Sequence, residues 1–165
     1  MEDLADRSAT ELARLVASRE VSPVEVVEAC LERVERYNPA VNAVVTLNPR
    51  ALDDAGELEL RLVRREEVGL LAGLPVGIKD VTPVAGLRTT YGSPLYRDHV
   101  PTEDALVVQR LRAAGAIILG KTNCPEFAAG GNTFNEVFAG RGTRGTRRAA
   151  PAARPAVAPR ASPPV

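Results

Sequence analysis

Leu74-Pro-Val-Gly-Ile-Lys-Asp80 is an apolar run that closes on two charges. A short run of this kind reads as a buried strand, and its end delivers Lys79 and Asp80 to one place. A second run, Ala116-Ile-Ile-Leu119, reads the same way and closes at Gly120-Lys-Thr122. Helical patterns lie between the two and before them. Helices alternating with buried strands predict an α/β architecture.

Toward the N-terminus, Ser8-Ala-Thr-Glu11 is a capping box opening a short helix with an apolar stripe of Leu12, Leu15 and Val16. Ser22-Pro23-Val24-Glu25 is a second box, with Pro at the first helical position, where a missing N–H does no harm. Val24, Val27, Leu31 and Val34 then share a face, and Asn38-Pro39 predicts a stop at about Tyr37. Val41 to Leu47 reads as a strand, and Asn48-Pro49 opens a charge-rich helix to about Glu67. Beyond the opening strand, Gly86 to Pro94 is a Gly/Thr/Ser loop. Thr102 is the expected cap of a helix that offers Ala105, Leu106, Val108, Leu111 and Ala113 for packing, turns Arg110 and Arg112 to water, and ends at Gly115. Pro125 starts a brief helix that ends at Gly130-Gly131.

The 165 residues are 45% hydrophobic and 25% charged with zero formal net charge, yet the balance hides a break. The last acidic residue is Glu136, and from Gly140 onward the chain holds six Arg among Ala, Pro, Gly and Thr. The body is net acidic and the tail basic. No apolar run reaches the roughly 18 residues a membrane span needs. The opening Met1-Glu-Asp-Leu-Ala-Asp6 is acidic where a secretory signal is basic, so a cytoplasmic address is expected. Cys30 and Cys124 form no metal or redox spacing, and two reduced thiols are expected.

Among 19 Arg there are only two Lys, Lys79 and Lys121. Arg cannot release its proton near neutral pH, whereas a buried Lys can have its pKa pulled down and act as a base. Lys79, at the end of an apolar strand, is placed for that burial; the plainer reading pairs it with Asp80, and composition alone favours the pair. Lys121 completes Gly115-Ala-Ile-Ile-Leu-Gly-Lys-Thr122, which matches a phosphate-loop pattern in letters only. A phosphate cradle needs a loop with free N–H groups, and here Ala-Ile-Ile-Leu is the strand itself. Pro125 also argues against a helix starting at Lys121. His99 is expected in a solvated loop, and Cys124 as a small packed thiol, since a nucleophilic Cys needs a base and an oxyanion site.

Leu71-Ala-Gly-Leu-Pro-Val-Gly-Ile-Lys-Asp80, Gly86-Leu-Arg-Thr-Thr90, Thr102-Glu-Asp-Ala105 and Ala114-Gly-Ala-Ile-Ile-Leu-Gly-Lys-Thr-Asn123 through Glu126-Phe127 resemble the amidase signature family in order and spacing. The resemblance covers residues 1 to about 138. Asn132-Thr-Phe-Asn-Glu-Val-Phe138 is more similar to the family's bacterial small-amide amidases than to the A subunit of tRNA-dependent amidotransferases. The resemblance implies the N-terminal part of a mixed β-sheet wrapped by helices, and hydrolysis of small-molecule amides by Ser–cis-Ser–Lys with no cofactor or metal. Lys79 matches the proton-relaying lysine. A serine on a strained cis peptide couples that lysine to the nucleophilic serine, which forms an acyl-enzyme. The region Gly130-Gly131-Asn132 matches the loop whose backbone N–H groups stabilise the oxyanion.

The chain departs from the family past residue 138. A Gly-Gly-Ser-Ser-Gly-Gly motif is expected near position 152, where Pro151-Ala-Ala-Arg-Pro-Ala-Val157 stands, and the one later serine is Ser162. Read one phase over, the codons of Ala152 to Val157 permit Gly-Gly-Ser-Ser-Gly-Gly, and those of Gly142 to Arg148 permit Arg-Asn-Pro-Trp-Asn-Pro-Ala. A one-frame slip between about Phe138 and Gly142 is therefore expected, leaving residues 139–165 as a disordered tail and the chain inactive. Two alternatives stay open. One is a subunit of a split amidase or amidotransferase, completed by a serine-bearing chain. The other is a non-catalytic protein whose six tail Arg neutralise phosphates, although the tail lacks the aromatic residues that stack on bases. In a partial fold, Leu74–Ile78 and Ile117–Leu119 are expected to lack sheet partners and to drive self-association.

Overall fold

The computed structural model describes residues 3–139. The one-frame slip, the disordered tail and its phosphate-binding alternative thus lie outside the described residues, Ala139 excepted.

Helix α1, Ala9–Ala17, begins where the Ser8 hydroxyl accepts from the Glu11 N–H at 3.2 Å. Only half of the expected box forms, because the Glu11 carboxylate turns to Arg7. Leu12, Leu15 and Val16 are buried, as the stripe predicts. Helix α2, Pro23–Val41, carries the full reciprocal box: the Ser22 hydroxyl accepts from the Val24 N–H at 3.0 Å, and the Ser22 N–H donates to Glu25 at 2.7 Å. Of the predicted face, Val27 is fully buried while Val24 and Leu31 pack at its margin. Val26, which that face omits, is also fully buried, against Leu12, Val16 and Leu74.

α2 does not stop at Tyr37. Pro39 lies in the last turn, where its missing N–H removes one bond, and Asn38 ties the helix to the start of the next strand. Its Oδ1 accepts from the N–H groups of Ala43 and Val44, both at 2.8 Å, and its Nδ2 donates to the Val44 carbonyl at 2.7 Å. Asn42, left-handed at φ 49°, ends the helix. Strand β1 is accordingly shorter than expected, Val44–Leu47. Helix α3 is also shorter, Ala51–Val63, entered through a turn in which the Asn48 side chain accepts from the Arg50 N–H at 3.1 Å.

Strands β2, Pro75–Lys79, and β3, Ile117–Thr122, pair in parallel, and β1 joins the other side of β3 antiparallel, giving the order β1-β3-β2. β3 is therefore central, which corrects the expectation that both apolar strands lack partners. Each outer strand keeps one free edge among the described residues. The β2–β3 crossover runs through α4, Leu106–Ala113. Thr102 does not cap it. Ala105 stands at the N-cap without a side-chain bond, and Asp104 instead accepts from the Ala85 N–H at 2.7 Å and from Arg112 at 3.0 Å. Of the residues offered for packing, Val108 is fully buried, Ala105 and Leu111 are half-buried, and Leu106 and Ala113 are exposed. Arg110 faces water, but Arg112 is half-buried between Asp104 and Asp54. Gly115, at φ 87°, ends the helix as predicted.

α2 and α3 cover one face of the sheet through Val27, Ala55, Leu58 and Ile117. The other face packs Ile78 and Ile118 against Val84, Leu87 and Val108. Between these layers the β2–β3 register shifts: Val76 pairs with Ile118, but Gly77 pairs with Gly120 and Ile78 with Lys121. Leu119 is the extra residue, and the bulge re-aims the side chains beyond it. Gly120 is required here, because a Cβ would collide with the Thr46 carbonyl on β1. Among the described residues no helix is long and apolar enough to cross a membrane.

Candidate active site

The expectation that Lys79 is buried, or paired with Asp80, is corrected on both counts. Strand alternation sends Ile78 into the core and turns Lys79 to the opposite face, where Lys79 and Gly77 are both exposed. Asp80 follows the Ile78 side and is wholly buried, as is Lys121, brought to that face by the bulge.

Asp80 and Lys121 form a buried polar knot. The Asp80 carboxylate accepts from the Thr90 N–H at 3.1 Å and from its hydroxyl at 2.5 Å. The Lys121 ammonium lies 3.9 Å from Asp80 and donates to the Thr82 carbonyl and, at 2.7 Å, to the Thr89 hydroxyl. Burial lowers the Lys121 pKa to about 8, with Asp80 opposing the shift. Burial raises that of Asp80, against the Thr90 hydrogen bond and the Lys121 charge. The knot surrounds the backbone of Lys79. The Thr82 N–H donates to the Lys79 carbonyl at 2.9 Å, the Asp80 N–H to the Thr122 carbonyl at 2.9 Å, and the Tyr91 N–H to the Asp80 carbonyl at 2.9 Å. Lys79 thus leaves a clamped turn with its side chain in the open. Sequence reasoning met Lys121 only as a rejected phosphate motif and missed this role. Its signal was present, since Lys121 is the second of only two Lys.

β3 also settles the phosphate pattern: it pairs with β2 from Ile117 and with β1 from Gly120, so no free loop lies between Gly115 and Lys121. After Pro125 comes one tight turn, Glu126–Ala128, with Phe127 and Ala128 left-handed at φ 47° and 59°. Gly130, at φ 137°, Gly131 and Asn132 are exposed, and their backbone N–H groups donate to no acceptor among the described residues. Asn135, which sequence reasoning did not single out, holds this loop. Its Nδ2 donates to Asn123 at 2.8 Å and to the Cys124 carbonyl at 2.7 Å. Its Oδ1 accepts from the N–H groups of Val137 and Phe138 at 2.9 and 2.7 Å. Asn42 completes the latch by donating to the Phe138 carbonyl at 2.6 Å.

Cys124 is a fully buried thiol, and Cys30 is also free. Burial pushes the Cys124 pKa up; Asp80 adds to this, and Lys79 and Lys121 oppose it. His99 lies exposed in its loop.

Comparison with known proteins gives this arrangement a context. The family model described as Amidase matches residues 25–148, running past the boundary at about 138 set by the sequence motifs. The A subunit of a glutamyl-tRNA(Gln) amidotransferase from Acidothermus cellulolyticus is 45% identical over 139 residues, 84% of this chain and 28% of the relative. An acylamidase from Rhodococcus erythropolis is also 45% identical, over 79% of this chain and 28% of its own length. The equal identities do not separate these two kinds of relative. A bacterial aryl acylamidase of the amidase signature enzymes superposes with a TM-score of 0.75 at 32% identity, over 80% of this chain and 28% of that one. The chain therefore spans a little over a quarter of the length of these relatives.

Proposed function

The chain belongs to the amidase family, and on that premise we propose that its described residues carry the lysine half of a Ser–cis-Ser–Lys amide-hydrolysing site, with Lys79 as the proton relay. The observation that carries the proposal is the division of labour between the two lysines. Lys121 is consumed by the core, whereas Lys79 stands on a clamped turn with its side chain exposed beside Gly77. In the full reaction the Lys79 amine takes a proton through the bridging serine, and the nucleophilic serine adds to the amide carbonyl. The C–N bond then breaks as the proton returns to the departing amine, and water releases the acyl group by the same relay. Gly130, Gly131 and Asn132, whose N–H groups meet no acceptor among the described residues, suit the transient oxyanion.

The 165-residue chain by itself is proposed to be inactive, because Pro151 to Val157 supplies no hydroxyl where the serine pair belongs. The one-frame slip accounts for that substitution. The test pairs the purified chain with one restored to Gly-Gly-Ser-Ser-Gly-Gly in the shifted phase. The restored chain should hydrolyse a simple amide and lose roughly 10²–10⁴-fold in kcat on Lys79→Ala. Turnover by the unrestored chain, or a restored chain indifferent to Lys79→Ala, overturns the proposal. The open face at Gly77 also favours a second reading, completion by a serine-bearing partner chain. Activity on mixing the two would reveal it, whereas growth in light scattering by the chain alone would show self-association at the free edge of β2.

A further inference from the structure

Helix α3 has a second apolar side besides the one it buries. Ala51, Ala55 and Leu58 are buried toward the sheet and α2. At 3.6 residues per turn, positions 52, 56, 60 and 63 gather on a different flank, within about 80° of one another. They hold Leu52, Gly56, Leu60 and Val63. Leu60 is 55% and Val63 62% exposed, and Leu52 is exposed as well. Gly56 lies in the middle of this flank. A glycine inside a helix weakens it relative to alanine, and a Cβ added at Gly56 would meet nothing within 4 Å. The described residues thus supply no packing reason for that glycine, whereas close approach by another backbone does.

The charges along α3 are divided too. Asp53, Asp54 and Glu57 occupy its first half, and Arg61 and Arg64 its end. Asp53 and Arg64 fall on the same margin of the apolar flank, one at each end. Glu59, on the other margin, lines the groove beside Val21 and Pro23. An antiparallel copy of the same helix matches all of these features. About a twofold axis near position 58, Leu60 of one copy meets Gly56 of the other, Leu52 meets Val63, and Asp53 meets Arg64, each contact being made twice. We propose that this flank of α3 is a self-recognition surface, on which a second copy of the chain docks antiparallel with Leu60 seated over Gly56. The glycine lets the two axes approach to about 8 Å, the near end of the range for packed helices. Three apolar side chains per copy make a small interface, so the dimer is weak and depends on concentration.

Sedimentation equilibrium of the 165-residue chain, from about 5 to 500 µM at low salt, tests this. A monomer–dimer exchange is expected, and Leu60→Glu should weaken it roughly tenfold or more. Asp53→Arg and Arg64→Asp should each weaken it about two- to fivefold, and the two together, which restore opposite charges across the axis, should recover it. Failure to recover overturns the antiparallel register. Gly56→Leu should abolish the dimer while leaving the unfolding midpoint unchanged or raised, because the single chain has room for the side chain. Leu95→Ser, at an exposed position outside α3, should change neither. A chain that stays monomeric throughout, with α3 covered by other residues of the same chain or by none, overturns the proposal. So does association indifferent to both Leu60→Glu and Gly56→Leu, which assigns the contact to the edge of β2 instead.

Discussion

Lys79 and Lys121 end neighbouring parallel strands one register step apart, and they meet opposite fates. Ile78 pairs with Lys121 and Lys79 with Thr122, so a single residue of offset along the sheet moves an ammonium from bulk water to zero exposure. Around Lys121 the chain has assembled a carboxylate, a hydroxyl and a carbonyl; around Lys79 it has placed Gly77 and a clamped backbone. Strand alternation, adjusted by one bulge, thus decides which lysine is built into the core and which stays exposed.

The largest break in that comparison is Lys121→Met. It leaves Asp80 buried without its counter-charge and two acceptors unfilled, and should cost about 3–5 kcal/mol by urea unfolding. Lys79→Met, in the open, should stay within about 0.5 kcal/mol. Equal losses would erase the distinction drawn between the two residues. Adding Asp80→Asn to Lys121→Met should recover part of the loss, because no charge is then left stranded. The pH dependence sharpens the contrast. Lys121 titrates near 8 in the fold and near 10.5 when unfolded, so between those values the unfolded chain holds the extra proton. Stability therefore rises as pH increases from about 8 to about 10.5, and Lys121→Met should abolish the rise while Lys79→Met keeps it.

Two smaller effects probe the scaffold that creates the offset. Gly120→Ala forces a methyl against the Thr46 carbonyl and should cost about 1–3 kcal/mol. Gly131→Ala, with nothing within 4 Å of the added carbon, should be close to neutral in the same measurement. Ser22→Ala removes half of the reciprocal cap on α2 and should cost about 1 kcal/mol.

Local signals were legible in the sequence, and signals that depend on long-range neighbours were not. The Ser22 box, the strand ending at Lys79 and the stop at Gly115 are short-range patterns, and the structure contains each of them. The end of α2 was misplaced because Asn38 replaces the punctuation of Pro39 with bonds to residues 43 and 44. The Thr102 cap failed because the helix starts only at Leu106, with Ala105 at its N-cap, three residues past Thr102. Lys79 was expected inside because the run before it is apolar, yet Gly77 leaves its face uncovered, and no reading of the run alone shows which face the helices take. The asparagine latch joins positions as far apart as 42 and 138, a separation beyond any local period.

That latch also bears on how the molecule breathes. The stretch from Cys124 to Ala139 is fastened through the amides of Asn42, Asn123 and Asn135, the buried Cys124 and the Phe127 N–H bond to the Tyr91 carbonyl, with Phe134 left in water. A segment secured mainly by directional bonds is expected to open at a lower free energy than the sheet, with earlier hydrogen exchange at Val137 and Phe138 than at Ile118 as the check.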